Sequence, residues 1–599
     1  MRLSAELSKL GDFTTTTRVL PIAGLAMVIG LIGAYVALVL LWLIGFFTNL
    51  FYYQRLGSNL VSPAGNHLGW LAVLVPIVGG LIIGLMARYG SERIRGHGIP
   101  EAIESILIGG SKVDPKLAIL KPLSAALSIG TGGPFGAEGP IIMTGGAFGS
   151  MIAQFFHLTS SERKTLLVAG AAAGMSATFA APLSAILLAV ELLLFEWKPR
   201  SLIPVALASA TAGAARRYLI GLGPLFPTPP HPVFIGPAGL MGCIICGFLA
   251  GALSSLLTGA VYAAEDAFAK LPIHWMWWPA IGGLVIGVGG MIFPQALGVG
   301  YDTIGTLLQG NGAIGLLLGV LLVKSTIWAV SLGSGTSGGV LAPLLMMGGA
   351  LGGLEALFLP AAGAGFWPLV SMGAILGGTM RSPFTGIVFA IELTHDVNMI
   401  LPLIVAAVIA HTFTVLVLRR SILTEKVARR GFHLSREYSV DPLEVLFVRE
   451  VMRTRILAFE GSSTIDDARK MLKTGNPSRG QHLYPVADAN RRLCGVITRK
   501  DLTQFADDRV LMSDVARREP VVAVADESLR TVVYRMAETG FTRMPVVDSR
   551  NERRIAGMIS LDDLLHARVR NLSEERSRER VLQIRLPFRG ARKTAPVEE

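Results

Sequence analysis

From Leu20 to Leu418 the chain is a succession of apolar runs that glycine and proline keep interrupting. The first run, Leu20 to Leu50, is longer than a signal-peptide core and has no small-residue cleavage site after it. It reads as a retained, tilted membrane helix. Further runs lie near 69–87, 117–129, 165–195, 202–221, 234–260, 275–293, 312–332, 340–358, 367–378 and 400–418. Several are too short to cross ~30 Å of hydrocarbon. Main-chain groups freed by a break find no water at that depth, so a broken helix must be buried in protein or line a cavity. Transporters and channels are built this way, and simple anchors are not.

Charge divides the chain in two. Residues 425–599 hold 33 of the 54 Lys and Arg and 26 of the 42 Asp and Glu. Residues 1–424 hold the other 21 basic and 16 acidic side chains, which excludes a fully soluble or a disordered protein. The formal charge of +12 fits the basic excess expected on the cytoplasmic side of a membrane protein, and does not call for nucleic acid. Three cysteines exclude a disulfide scaffold. Cys243 and Cys246 form C-x-x-C, but inside LMGCIICGFLAGAL and without a second pair, so packed or lipid-facing thiols are expected. No metal site is expected: His395, beside Asp396, and His411 lack a further ligand at suitable spacing.

An internal repeat narrows the architecture. Ala181-PLSAILLAVE-Leu192 aligns with Ser382-PFTGIVFAIE-Leu393 at an offset of 201. Gly130-TGGPFGAEG-Pro140 matches Gly333-SGTSGGVLA-Pro343 at 203, in its Gly-rich opening and closing proline. Two halves, each with a Gly-rich break before an apolar helix, are the duplicated plan of secondary transporters, whose site lies where the breaks meet. The offsets leave open whether the halves are inverted.

Gly130–Pro140 is the most informative segment. Its five glycines let an ion approach the main chain, leave several N–H groups unpaired, and precede a helix N-terminus carrying about half a positive charge. Such a site can hold an anion without a full positive charge in the membrane. Within it stands Glu138, an isolated carboxylate in apolar surroundings and so a functional candidate rather than a helix cap. Beside positive helix ends it could take the anion's own place and leave on protonation, a gate contested by protons and anions. Gly333–Pro343 contains G-x-G-x-x-G (Gly333, Gly335, Gly338), with Glu355 near the position of a ribose-binding acid. The early proline and membrane-like surroundings argue against a dinucleotide fold. The mirror of the first break is the better reading, with the amides of Val340 and Leu341 facing an anion from the opposite side. A third break, Gly96-His-Gly-Ile-Pro100, repeats the pattern.

With GHGIP (96–100), GAEGP (136–140), GVLAP (339–343), the two P-x8-E-L helices and a soluble C-terminal pair, the chain resembles the CLC family of chloride channels and chloride/proton antiporters over nearly its whole length. The resemblance implies an all-α polytopic membrane domain of two inverted repeats with broken helices, followed by an α/β cytoplasmic CBS pair. It implies a homodimer with a separate chloride path in each subunit. Glu138 matches the gating glutamate, and His97, Gly98, Ile99, Gly136, Ala137, Gly139, Val340 and Leu341 fall in the anion-binding segments.

Four positions depart from the family pattern. The central serine is His97, the inner proton-relay glutamate is Leu192, the central tyrosine falls near Leu423, and the commonly basic residue before the gate is Ala137. Glu191 is kept and, like Glu392, is expected to be structural. Loss of the inner carboxylate favours a passive chloride channel, with chloride/proton antiport as the alternative. A neutral His97 could donate one hydrogen bond to chloride and a protonated one could hold it by charge, adding a second pH sensitivity.

After Arg419-Arg420 two units of about 60 residues resemble each other: Tyr484-PVA-Asp488 before Gly495-VITRK-Asp501, and Met544-PVV-Asp548 before Gly557-MISLD-Asp563. Short β-branched strands alternate with amphipathic stretches, which marks an α/β pair. The pair resembles CBS domains, which often bind an adenine nucleotide in the cleft between repeats; Thr498, Asp501, Ser560 and Asp563 suit ribose hydroxyls and Arg499 phosphate, and the alternative is a dimerisation module with an empty cleft. The expected organisation is an N-terminal cytoplasmic segment 1–19, a membrane domain 20–424 (halves about 20–221 and 234–424), a linker 425–447, CBS repeats 448–507 and 508–570, and a charged tail 571–599. The chain is expected to be a multi-pass protein of the plasma (inner) membrane, its N-terminus and CBS pair in the cytoplasm, moving chloride and in the alternative protons, and not an enzyme. An intramembrane metalloprotease would need H-E-x-x-H, and no His-Glu dipeptide occurs. A cation transporter would need clustered intramembrane acids, whereas Glu138, Glu191 and Glu392 are dispersed.

Overall fold

The computed structural model describes residues 15–233, 235–431, 442–473, 481–505, 507–549, 551 and 553–576. The expected N-terminal segment up to residue 14, the linker at 432–441 and the tail beyond 576 lie outside the described residues. The chain forms two compact units, one running to Val427 and the other beginning at Ala428.

The first unit is helical throughout. Among the described residues six helical stretches are long and apolar enough to cross a membrane, from Val19–Tyr53 to Val397–Arg429. Between them lie shorter apolar helices: Leu117–Gly130, Pro182–Leu194, Leu341–Glu355, Phe366–Met380 and Pro383–Thr394. The apolar run 165–195 is not one element. Helix Ser160–Phe179 stops at Ala180, whose φ of 56° is left-handed, and a new helix starts at Pro182. Proline is favoured in the first helical turn and drives the residue before it out of helical geometry, so the run divides there.

The second half repeats this local structure. Arg381, also at φ 56°, ends helix Phe366–Met380, and Pro383 opens the next helix. The residues before the two prolines share one unusual conformation, Ala181 at φ −124°, ψ 68° and Ser382 at φ −132°, ψ 74°. Glutamates near the ends of these two helices show how the halves are related. Glu392 accepts from the amides of Leu183 and Ser184 and from the Ser184 hydroxyl, at 2.6–2.9 Å. Glu191 accepts from the amide and hydroxyl of Thr385 at 2.8 and 2.6 Å. Each carboxylate, late in its own helix, caps the start of the other. This reciprocity requires the two helices to run antiparallel about a pseudo-two-fold axis, so the repeats are inverted. It also uses each acid at a helix N-terminus, where negative charge is favoured.

Small residues let the helices approach closely. A Cβ at Gly145 would overlap the carbonyl of Gly170, and one at Gly149 that of Leu166. Cys243 and Cys246 are buried and free, and the Cys246 thiol donates to Glu355 Oε2 at 2.9 Å.

The second unit contains two small sheets, of four and three strands, that share the topology of their first three strands. Strand Phe459–Glu460 pairs parallel with Leu483–Ala487, which pairs antiparallel with Leu493–Thr498. Ala523–Val524, Arg543–Val547 and Ile555–Ser560 repeat the arrangement, down to a register shift near the end of the middle strand. The two repeats exchange their leading segments. Leu443 and Val448 lie in the core with Leu529, Val546 and Ile559, while Met512 and Ala516 lie in the other core with Phe459, Tyr484 and Ile497.

Candidate functional site

The Gly-rich breaks, far apart in sequence, meet in the first unit. Gly136 and Gly339 pair as in a two-residue antiparallel sheet, with N–H···O distances of 3.1 and 2.9 Å in the two directions. Gly96 pairs with the same second-half break: its carbonyl accepts from Gly338, and it bridges Ser337. Helices Glu138–Gln154, Leu341–Glu355 and Ile99–Leu107 therefore all begin at one place.

The glycines are needed for this closeness. A Cβ on Gly139 would overlap the carbonyl oxygen of His97, and one on Gly98 would stand 2.5 Å from the carbonyl oxygen of Gly139. Gly98 also holds φ at 88°, a conformation that an L side chain would strain.

The structure separates the expected anion-binding amides into two groups. The amide of Gly98 donates to Glu101 Oε2 at 2.9 Å, and that of Gly136 to Gly339, so both already have acceptors. Ile99, Ala137, Gly139, Val340 and Leu341 stand at the helix starts and their amides bond no acceptor among the described residues. These are the donors that helix geometry leaves over, and they converge where positive helix ends face one another.

Glu138 is fully buried, and neither carboxylate oxygen has a hydrogen-bond partner among the described residues. Its side chain folds back over its own break. Oε2 lies 2.9 Å from where a Cβ on Gly339 would sit and overlaps the corresponding position on Gly136. The carboxylate thus fills the slot that two glycines leave open, beside the amide end of Leu341–Glu355.

His97 is buried, and its Nδ1 has no partner among the described residues. The loop around it is fixed from behind. Lys121, fully buried, donates to the carbonyls of Ile94 and Gly96 at 2.8 Å each. Glu101 pairs with Lys426 at 2.7 Å. Leu192 and Leu423 are fully buried. The hydroxyl of Tyr262 reaches the carbonyl of Ile422, next to Leu423, at 2.5 Å.

Two buried lysines were not singled out from the sequence, although the signal was present. Lys121 and Lys324 stand 203 residues apart, the same offset as the breaks, each nine residues before the first glycine of its break. A lone cation in an apolar run is a functional candidate by default.

In the second unit a cleft of about 550 Å³ is lined by Thr498, Arg499, Lys500, Arg517, Arg518 and Arg543, among others. Asp501, Ser560 and Asp563 are not part of this lining. Asp501 and Thr498 form a reciprocal cap. Asp563 caps its own helix through Ser560 and pairs with Arg453 at 2.7 Å. That hydrogen bond holds the Arg453 guanidinium above its ordinary pKa.

Inverted repeats whose broken helices aim amides at a buried carboxylate define a membrane anion-transport protein. Residues 79–415 match the sequence model of the family described as voltage gated chloride channel, and 448–508 and 512–570 match the CBS domain. The chain belongs to the voltage-gated chloride channel (CLC) family, as an integral membrane protein with a C-terminal CBS pair. It is 30% identical over 361 residues to the "Putative chloride channel protein ClcB-like" of Ralstonia nicotianae, covering 59% of this chain and 84% of that one. It is 32% identical over 346 residues to the "H(+)/Cl(-) exchange transporter ClcA" of Yersinia pestis, covering 54% and 70%. Among solved structures, a slow cyanobacterial Cl−/H+ antiporter shares the fold with a TM-score of 0.60 and 23% identity, over 70% of this chain and 99% of that one. A eukaryotic CLC transporter shares it with a TM-score of 0.60 and 18% identity, over 91% and 98%.

Proposed function

We propose that the protein conducts chloride passively, through the slot between the paired breaks, and that Glu138 is the gate. The observation that carries this reading is the position of the Glu138 carboxylate. It fills the gap between Gly136 and Gly339 that the free amides of both halves surround. Chloride can enter only as the carboxylate leaves, and protonation removes the charge that holds it at the helix ends.

Passive flow is favoured over exchange because the acids that might carry protons inward are otherwise engaged. Glu191 and Glu392 cap helices, and Leu192 offers no carboxylate. The exchange reading has its own support: a relative is named an exchange transporter, and the His97–Glu101–Lys426 cluster holds titratable groups beside the site. Purified protein in liposomes decides between them. Chloride efflux with no proton movement is expected on imposing a chloride gradient, and proton uptake driven against its gradient would overturn passive conduction. In the same assay His97→Ser is expected to narrow the pH dependence of flux to the part set by Glu138.

The protein is proposed to act as a homodimer in the plasma (inner) membrane, with its N-terminus and CBS pair in the cytoplasm, as the family resemblance implies. The basic cleft supports a nucleotide ligand in the CBS pair: Arg499, Lys500, Arg517 and Arg543 offer phosphate contacts, and Thr498 offers a hydroxyl. Titration of the full-length protein with ATP is expected to show saturable binding that Arg543→Ala weakens about tenfold, the loss of one charge-assisted hydrogen bond. Absence of saturable binding by the unsubstituted protein would leave the cleft without a nucleotide role.

A further inference from the structure

The internal two-fold gives the loop around His97 a counterpart in the second half. Gly298 and Gly300, with φ 66° and 83°, match Gly96 and Gly98, with φ 86° and 88°, at an offset of 202. Tyr301 then opens helix Tyr301–Leu308 as Ile99 opens Ile99–Leu107. A buried lysine clamps each loop, Lys121 on the Gly96 carbonyl at 2.8 Å and Lys324 on that of Gly298 at 2.9 Å. Two side chains separate them: His97 corresponds to Val299, and Glu101 to the uncharged Thr303.

Glu101 is bonded at both oxygens. Oε2 accepts from the Gly98 amide at 2.9 Å, and Oε1 from Lys426 Nζ at 2.7 Å. The first bond is a helix cap between neighbours in sequence, with a glutamate at the third helical position. The second is not local, because Lys426 lies 325 residues away in helix Ile422–Arg429. That helix is itself fixed, since the Tyr262 hydroxyl donates to the Ile422 carbonyl at 2.5 Å. The ammonium lies against the loop, where it overlaps the position that a Cβ on Gly96 would take. The glutamate and lysine side chains are only 3% and 18% exposed, so solvent screens neither charge well. The second half builds the same loop with no carboxylate at this position, so forming the loop does not account for the pair. What the first loop has in addition is His97, whose Nδ1 has no partner among the described residues. The backbone at Gly96 and Gly98 therefore places the ring.

We infer that Lys426 is a positioning residue for the anion path. Its ammonium cancels the Glu101 charge beside the break and, through Glu101, holds the Gly98 amide and the backbone that places His97. The inference rests on the reading of the breaks as the anion path. A carboxylate left buried there without its partner would repel an approaching anion. With Lys426 in place the same carboxylate caps its helix and leaves no net charge.

Calorimetric titration of the full-length protein with chloride, at an ionic strength held constant with gluconate, gives the test. The two partners are expected to act with opposite signs. K426M leaves the carboxylate alone and should weaken chloride binding about tenfold, the scale of one nearby charge at an effective dielectric constant of ~20. E101Q leaves the ammonium alone and should tighten binding by a similar factor. The double variant E101Q/K426M should return to within a few-fold of the unsubstituted protein, because the two charges act on one anion. E101Q decides the matter even if K426M does not fold, since a pair that only braced the loop would weaken binding when either partner is lost. Weaker binding in E101Q, unchanged binding in K426M, or a double variant as weak as K426M overturns the role of Lys426 and leaves the anion path standing. No chloride binding by the unsubstituted protein overturns both readings.

Discussion

Glu138→Gln is expected to abolish the pH dependence that the gate imposes and to raise chloride flux at neutral pH about tenfold or more. The carboxylate occupies the slot between Gly136 and Gly339, beside amides that would otherwise serve chloride. A negative charge held at a partly buried helix N-terminus is worth up to ~2 kcal/mol. Removing the charge removes that advantage over the competing anion, and 1.4 kcal/mol is already a factor of ten. The sign follows from which form blocks. The ionised carboxylate competes with chloride and the protonated one does not, so flux through the unsubstituted protein rises as pH falls. Gln is locked in the neutral state, so its profile should lie at the high-flux end and keep only the part set by His97. Liposome efflux measured across the acidic to neutral range checks this. A glutamine variant that retains the original profile would show that the blocking charge lies elsewhere.

Gly139→Ala is expected to eliminate chloride flux while the protein still reaches the membrane. A methyl group at this position would overlap the carbonyl oxygen of His97 and come within 3.3 Å of Gly339 Cα. Both obstacles are backbone, so neither can rotate away. The loop bearing His97 must shift, and with it the amide of Ile99; the pairing of Gly136 with Gly339 is strained from the other side. Displacing even one or two charge-assisted hydrogen bonds weakens anion binding on the order of 100-fold. The folded CBS unit supplies a control, since its two cores contain nothing from this region. Anion binding by calorimetry, paired with size-exclusion behaviour in detergent, separates loss of the site from loss of the fold. Binding within a few-fold of the parent would mean that the crowded backbone has room the structure does not show.

Much of the molecule was legible in one dimension because the membrane imposes strict rules on local sequence. Apolar runs had to be helices, glycine and proline had to interrupt them, and an isolated Glu138 had to have a reason to be there. Where the reading fell short, the missing information was about partners. The run 165–195 looked continuous because, Glu191 apart, its residues are apolar or small, and Ala180 gives no warning of its left-handed turn. Gly98 and Gly136 were grouped with the other donors because each lies in a Gly-rich break, yet their amides are taken by Glu101 and Gly339. Lys121 and Lys324 were visible as a pair at the repeat's own offset, but their role depends on carbonyls about 25 residues upstream that only folding brings near.

The sequence by itself determined a duplicated membrane domain with three Gly-rich breaks, one exposed-to-chemistry carboxylate and a soluble α/β pair. These are properties of composition and local backbone freedom, which neighbouring residues decide. Tertiary structure alone decided that the halves are inverted, through Glu191 and Glu392 capping each other's helices. It also decided which amides at the breaks have acceptors, that Glu138 fills the slot between two glycines, and that the CBS repeats trade their leading segments. The physical reason is common to all four. A hydrogen bond or a steric gap belongs to two segments at once, and the sequence of either one does not name the other.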